Sequence, residues 1–395
     1  MGSIGYGTLA SAIRGVEMSD PLLALQDERV PYYYSGYSSL DCYFRVRNPG
    51  CVYIATTASL ITLAKLFGDL SYPGLPLEDA AIETDSTRYV FRCVDHVAQP
   101  PSDPYTVLAL LYNPQKGSFL DPLGVYADLR RTQLVAVESW LPEWVFLMEA
   151  AKLVSRYHYA VDDACGLAPG SVTSFPSDTE RERDLLVSIL RSPKPDKGFL
   201  LLLKSGFVEA FWPELFRMTE VSQSKDYHPE GNVWEHTMAA LRHRRGLDLL
   251  LALGLLLHDI GKPYTTKWGD RQFDGHAEQG ALVAGRFMRR LGFPDRMVVD
   301  VQFMVRFHMI PQALKRLPLY RTQKLLDSRL FPRLLEIYRA DIASSYHALD
   351  AYFEACKVYR RYLKKKTNTY GFERTRSDSK HRRRARYRRT THKCY

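Results

Sequence analysis

The stretch LGLLLHDIGKP, Leu253 to Pro263, ends a run of leucines in a histidine, an aspartate, a glycine, a lysine and a proline. A core helix gains nothing from that ending, because an imidazole and a carboxylate buried side by side lose hydration that apolar neighbours do not return. The segment therefore predicts a buried site whose occupant compensates the desolvation. Further candidates recur along the chain: His236 in NVWEHT, His276 in FDGHAEQGA, His308 in VRFHMIP and Asp341 in YRADI. Neutral imidazole nitrogens and carboxylate oxygens suit divalent first-row metals, iron or manganese first, with nickel or zinc as alternatives. The set His236, His258, Asp259, His276, His308 and Asp341 exceeds what one ion needs, so two ions bridged by Asp259 are expected. Two metals about 3.5–4 Å apart can share a hydroxide and clamp a phosphoryl group. Lys262, following in the loop, is expected to meet substrate phosphate as a point charge.

The elements that must position these residues divide by pattern. Residues 1–29 are a weakly patterned N-terminal segment. Residues 30–138 mix short β-rich runs such as CVYIATTA and RYVFRCVDH with Pro-rich turns, which predicts a small mixed α/β head. Residues 139–211 predict a helical neck, in which LPEWVFLMEAAKLVSRYHYAV and ERERDLLVSILRS have helical periodicity and the second is closed by Pro193 and Pro195. Residues 212–359 predict an all-helical metal-binding domain with loops at 224–232 and 261–275, and 360–395 form a basic tail. The fold class expected is α+β, predominantly α-helical.

With 395 residues, 46% hydrophobic and 25% charged, the composition is that of a globular chain with room for two or three domains. The longest apolar run, Leu247 to Leu257, falls far short of the roughly 20 residues a membrane helix needs, so no span is expected. The N-terminus lacks the features of a secretory signal, and six scattered cysteines without a C-x-x-C pair argue against a zinc ribbon or a disulfide framework. The cytoplasm is the compartment expected. Of the net charge of +10, the segment from Arg360 onward carries more than the whole, with fifteen Lys or Arg against Glu373 and Asp378. The rest of the chain is slightly acidic. KKK at 364–366 and HRRRARYRR at 381–389, interleaved with Tyr370, Phe372 and Tyr387, have the composition of a flexible arm that contacts RNA or DNA phosphates.

The order His, His-Asp, His, His, Asp with HDIGKP resembles the HD superfamily of metal-dependent phosphohydrolases. The resemblance implies that His236, His258, Asp259 and Asp341 hold one ion, while His276 and His308 complete the second. A longer likeness covers most of residues 30–345. Through ERERDLLVSILRSPKPDKGFLLLLKSGFVEAFWPEL, HPEGNVWEHT and FDGHAEQGA the chain is similar to bacterial tRNA nucleotidyltransferases and poly(A) polymerases that bear a C-terminal HD domain. That likeness implies a nucleotidyltransferase-like head. Its motifs depart from the family's: Cys51 and Tyr53 stand where the Asp-x-Asp carboxylates would be. Tyr37 and Leu40 stand in the phosphate-cradling loop, Leu108 replaces an asparagine, and Phe146 and Glu149 replace arginines of the neck.

These readings together predict a metal-dependent phosphohydrolase, a phosphatase or phosphodiesterase acting on a nucleotide or RNA-end phosphoester. Asp259 and Lys262 would be its catalytic residues and the head an inactive scaffold. Two alternatives stand beside it: a non-catalytic RNA-binding or regulatory protein, and an active tRNA nucleotidyltransferase or poly(A) polymerase.

Overall fold

β-Branched and aromatic runs become strands, and leucine-rich runs become helices, in a computed structural model of the chain. It describes residues 20–46, 50–73, 78–84, 87–96, 103–132, 134–137, 141–157, 159–160, 175, 178–223, 231–265, 273–345 and 348–366. The protein is mostly helical with one small mixed sheet, and it divides into two units, residues 1–174 and 175–395.

The sheet belongs to the first unit. Its strands are β1 (Tyr32–Tyr34), β2 (Cys51–Thr56), β3 (Ala80–Glu83), β4 (Arg88–Cys93), β5 (Leu111–Asn113) and β6 (Ser118–Leu120), in the order β3-β4-β2-β1-β5-β6. Only β2 and β4 run parallel, with Tyr53 beside Val90; the other pairs are antiparallel. Helices α1 (Pro21–Asp27), α2 (Gly36–Phe44), α3 (Leu60–Leu66), α4 (Tyr126–Arg131) and α5 (Glu143–Tyr157) accompany it. Leu25, Tyr32, Ile54, Leu63, Ile82 and Phe91 form a core in which α1 and α3 cover the sheet. Helix α5, expected as the start of a neck, lies in this unit and is tied to α2. The Arg156 guanidinium grips both oxygens of Asp41 at 2.7 Å, and the Tyr157 hydroxyl donates to the same carboxylate.

The second unit is helical. It comprises α6 (Thr179–Leu190), α7 (Pro195–Lys204), α8 (Phe207–Phe211), α9 (Pro213–Phe216), α10 (Val233–Arg242), α11 (Leu249–Leu257), α12 (His276–Arg290), α13 (Asp295–Phe307), α14 (Ile310–Ala313), α15 (Leu319–Leu326) and α16 (Phe331–Ser344), followed by α17 over 350–366. An all-apolar helix has to be central, and α11, LLLALGLLL, is packed by α6, α10, α13 and α16. The Asp248 side chain caps its N-terminus and Arg333 of α16 pairs with that carboxylate. Asn232 and Glu235 form a capping box that starts α10 one turn ahead of His236.

No helix among the described residues is long and apolar enough to cross a membrane. Cys42, Cys93 and Cys356 are free thiols. Most of the basic tail, 367–395, lies outside the described residues; its beginning, 360–366, continues α17.

Candidate metal centre and head cavity

All six residues singled out as ligands converge in the second unit. His236 projects from α10, His258 and Asp259 follow α11, His276 opens α12, His308 follows α13 and Asp341 lies on α16. Two triads form, His236–His258–Asp259 and Asp259–His276–His308, each with its donor atoms within 4.8 Å of one another. Asp259 belongs to both. Its Oδ2 lies 3.7 Å from His236 Nε2 and 3.3 Å from His258 Nε2, while its Oδ1 lies 3.6 Å from His276 Nε2 and 3.8 Å from His308 Nε2. Asp341 Oδ1 is 2.9 Å from His236 Nε2.

A common device aims the rings. The Nδ1 of His258, His276 and His308 each donates to the carbonyl three residues earlier, of Leu255, Phe273 and Val305, at 2.7–2.8 Å. A carbonyl only accepts, so the proton sits on Nδ1 and the Nε2 lone pair faces the centre, the arrangement that orients imidazole ligands. The fourth ring places its Nδ1 3.2 Å from Ser344 Oγ, which itself donates to the Asp341 carbonyl. His258 Nε2 is buried without a hydrogen-bond partner among the described residues. The orphaned His258 lone pair and the turning of three Nε2 atoms toward one shared carboxylate across two triads fit divalent cations.

Charge supports the same fit. Burial pushes the Asp259 carboxyl up, but His258 and Lys262 outweigh it and hold it well below the usual carboxylate range. Asp341 is likewise held low against burial, chiefly by its bond to His236. Burial lowers His308 to about 4, so its ring is neutral at pH 7 as a ligand must be.

Lys262 was expected to face substrate. Its ammonium lies 2.7 Å from Asp259 Oδ2 and donates at 2.7 Å to Gln223 Oε1. No sequence signal marks Gln223, which the loop before α10 brings in from outside the histidine set. Beside the centre opens a cavity of about 570 Å³ whose lining includes Asp259, Lys262, His276, His308, Arg316 and Asp341.

A second cluster lies in the head, where sequence reasoning looked for acids at residues 51 and 53 and found Cys51 and Tyr53. Three other carboxylates line one cavity: Glu78 ahead of β3, Asp103 ahead of a 3-10 turn at Thr106–Ala109, and Glu149 on α5. Each has its own cation. Arg88 reaches Glu78 at 3.1 Å, Arg92 reaches Asp103 at 2.6 Å, and Lys152 pairs with Glu149, which also accepts from the Tyr37 hydroxyl. Burial, then the Glu149 charge, keeps the Tyr37 phenol protonated. With Tyr37 and Tyr53 filling the centre, about 50 Å³ stays open.

Burial raises Asp103 from 3.8 to about 6, and Arg92 does not cancel the effect. A carboxyl raised on folding binds its proton more tightly in the native state. Head stability is therefore expected to fall as pH rises from about 4 to about 6, by roughly 3 kcal/mol, and to level off above. Urea unfolding followed by fluorescence across that range checks this, and Asp103→Asn should flatten the profile.

The HD domain family matches residues 232–344. Among curated proteins, the chain is 31% identical over 244 residues to the A-adding tRNA nucleotidyltransferase of Deinococcus radiodurans, covering 56% of this chain and 54% of that protein. It is 31% identical over 256 residues to the CC-adding tRNA nucleotidyltransferase of Thermus thermophilus, covering 60% and 57%. The chain thus spans a little over half the length of these relatives. Among solved structures, the Bacillus stearothermophilus CCA-adding enzyme in complex with CTP superposes with a TM-score of 0.50 at 16% identity, over 87% of this chain and 80% of that one. A tRNA-processing enzyme in an apo form gives 0.50 at 14%, over 89% and 94%. At that identity the likeness shows the fold. The chain carries an HD domain and is homologous to the tRNA nucleotidyltransferases.

These relatives overturn the expectation of a phosphohydrolase with an inactive head. The curated proteins it resembles at 31% identity are transferases. The error has a physical source: the substitutions at the motif positions were taken to end transfer, whereas Glu78, Asp103 and Glu149 line one cavity from other elements.

Proposed function

We propose that this chain is a nucleotidyltransferase acting on the 3′ end of a tRNA or related RNA, with the head cavity as its transfer site. The observation that carries the reading is the gathering of Glu78, Asp103 and Glu149 with Arg92 and Lys152 around one cavity; the similarity to A-adding and CC-adding tRNA nucleotidyltransferases supports it. In the transfer, the RNA 3′ oxygen attacks the α-phosphorus of a nucleoside triphosphate, the new phosphodiester forms and pyrophosphate leaves. Arg92 and Lys152 turn from their carboxylates to the triphosphate, and Glu149, released by Lys152, would be free to hold a divalent ion, whose charge would offset that of the triphosphate. Asp103, with its pKa near 6, is placed to take the hydroxyl proton. Because about 50 Å³ cannot admit a nucleotide, Tyr37 has to swing away from Glu149 on binding.

In the second unit, the same reading assigns His236, His258, Asp259, His276, His308 and Asp341 to two divalent first-row metals, iron or manganese before nickel or zinc. The enzyme works in the cytoplasm. Incubation with labelled ATP or CTP and a tRNA transcript lacking its terminal CCA tests the reading. One to three added nucleotides are expected, with a loss of about 100-fold or more in an Asp103→Asn, Glu149→Gln variant. No extension with any nucleoside triphosphate would end it.

A further inference from the structure

One face of α17 is buried and the other is charged. On the inner side Ala355 is buried, the Tyr359 ring lies 4.8 Å from Phe331, and Tyr362 donates to Asp327 at 2.7 Å. Phe353, Lys357, Arg360, Arg361, Lys364 and Lys365 are exposed. Residues 353, 357, 360 and 364 are spaced by three or four, so they run as one stripe along the outer face. Residues 350–366 hold six Lys or Arg against two acids, in a chain that is slightly acidic up to Arg360. Glu354 is engaged within the surface, by Lys357 at 2.6 Å and Lys315 at 3.7 Å. The other end of the helix is anchored: Asp350 and Ala351 line the cavity beside the histidine centre, together with Arg316. Tyr320 on the neighbouring α15 is 75% exposed.

We propose that this face is a track for the phosphate backbone of an RNA strand, leading from the basic C-terminal stretch to the mouth of the metal-centre cavity. Neighbouring cations on a helix face lie about 5–6 Å apart, a repeat that suits successive phosphates and reads no sequence. A membrane surface would call for apolar residues interleaved all along the stripe, whereas on this helix Phe353 and Leu363 stand exposed against five exposed cations, Lys357, Arg360, Arg361, Lys364 and Lys365. Phe353 opens the stripe with a ring on which an unpaired base can stack, and Tyr320 offers a second exposed ring. The choice of RNA as occupant rests on the proposed function; the track itself is separable from transfer in the head.

The test uses the full chain with Lys357→Gln, Arg360→Gln, Arg361→Gln and Lys364→Gln combined. Anisotropy of a labelled tRNA transcript is read between 50 and 200 mM salt. Affinity is expected to fall about tenfold or more, and the slope of log K against log salt to shrink by about 3, because each phosphate contact contributes roughly 0.7–0.9. A photocrosslinking residue placed at Phe353 should capture the RNA. An unchanged salt slope, no capture at Phe353, or loss of binding to phosphatidylserine vesicles with RNA affinity intact would each overturn the proposal. Extension of tRNA with an unchanged slope sinks the track alone; no extension with the expected slope sinks the transfer reading alone.

Discussion

Replacing Asp259 by alanine will strip the second unit of bound divalent metal, because both triads lose their shared carboxylate at once. Metal content after gel filtration, measured by elemental analysis, is expected to fall below about one-tenth of wild type, a loss beyond that of any single histidine. Stability changes too. Lys262, 9% exposed, is left with the Gln223 amide and the face of the Phe273 ring, and with no anion among these partners. A buried cation deprived of its carboxylate costs about 3–5 kcal/mol. The two effects separate in Asp259→Ala combined with Lys262→Met: removing both charges should recover much of the melting temperature while metal stays absent. If Asp259→Ala retains stoichiometric metal, the carboxylate does not bridge and the assignment of the centre is wrong.

How far the sequence reached depends on how local the chemistry is. The six residues that converge were legible because they fall in short polar interruptions of apolar patterns, as in LLLHDIG. The mixed head and helical remainder were legible from periodicity. The contacts that aim the imidazoles were not, because a ring bonded to the carbonyl three residues back leaves no trace in residue type. That Gln223, 39 residues earlier, accepts from the Lys262 ammonium beside Asp259 was not legible either, because no spacing rule joins the two. In the head the failure had the same root. Glu78, Asp103 and Glu149 come from a strand approach, a loop and a helix, and no spacing rule joins them. The departures at the motif positions drove the mistaken reading of function.

The glycine of HDIGKP shows how such a string can be dictated by backbone rather than side-chain chemistry. Gly261 has φ −82°, which any residue adopts, so its role is not conformational freedom. A Cβ built there would lie under 3.0 Å from the His276 carbonyl oxygen and from Gly280 N and Cα. These are backbone atoms and cannot rotate aside. The turn after the His-Asp pair is thus the surface on which the first turn of α12 rests, and that contact sets where His276 stands relative to Asp259. Gly261→Ala is expected to push α12 outward, with an overpacking cost of about 3 kcal/mol or more and a drop in melting temperature of roughly 5 °C or more. The metal consequence is asymmetric. The Asp259–His276–His308 triad loses a ligand, whereas His236, His258 and Asp259 keep their places, so bound metal should fall by about half. Gly280→Ala is the milder comparison, since its Cβ would meet the Val305 Cγ1 at 3.1 Å and Gly261 N at 3.2 Å. Equal melting temperatures and equal metal content in Gly261→Ala and wild type would show that α12 does not depend on this approach.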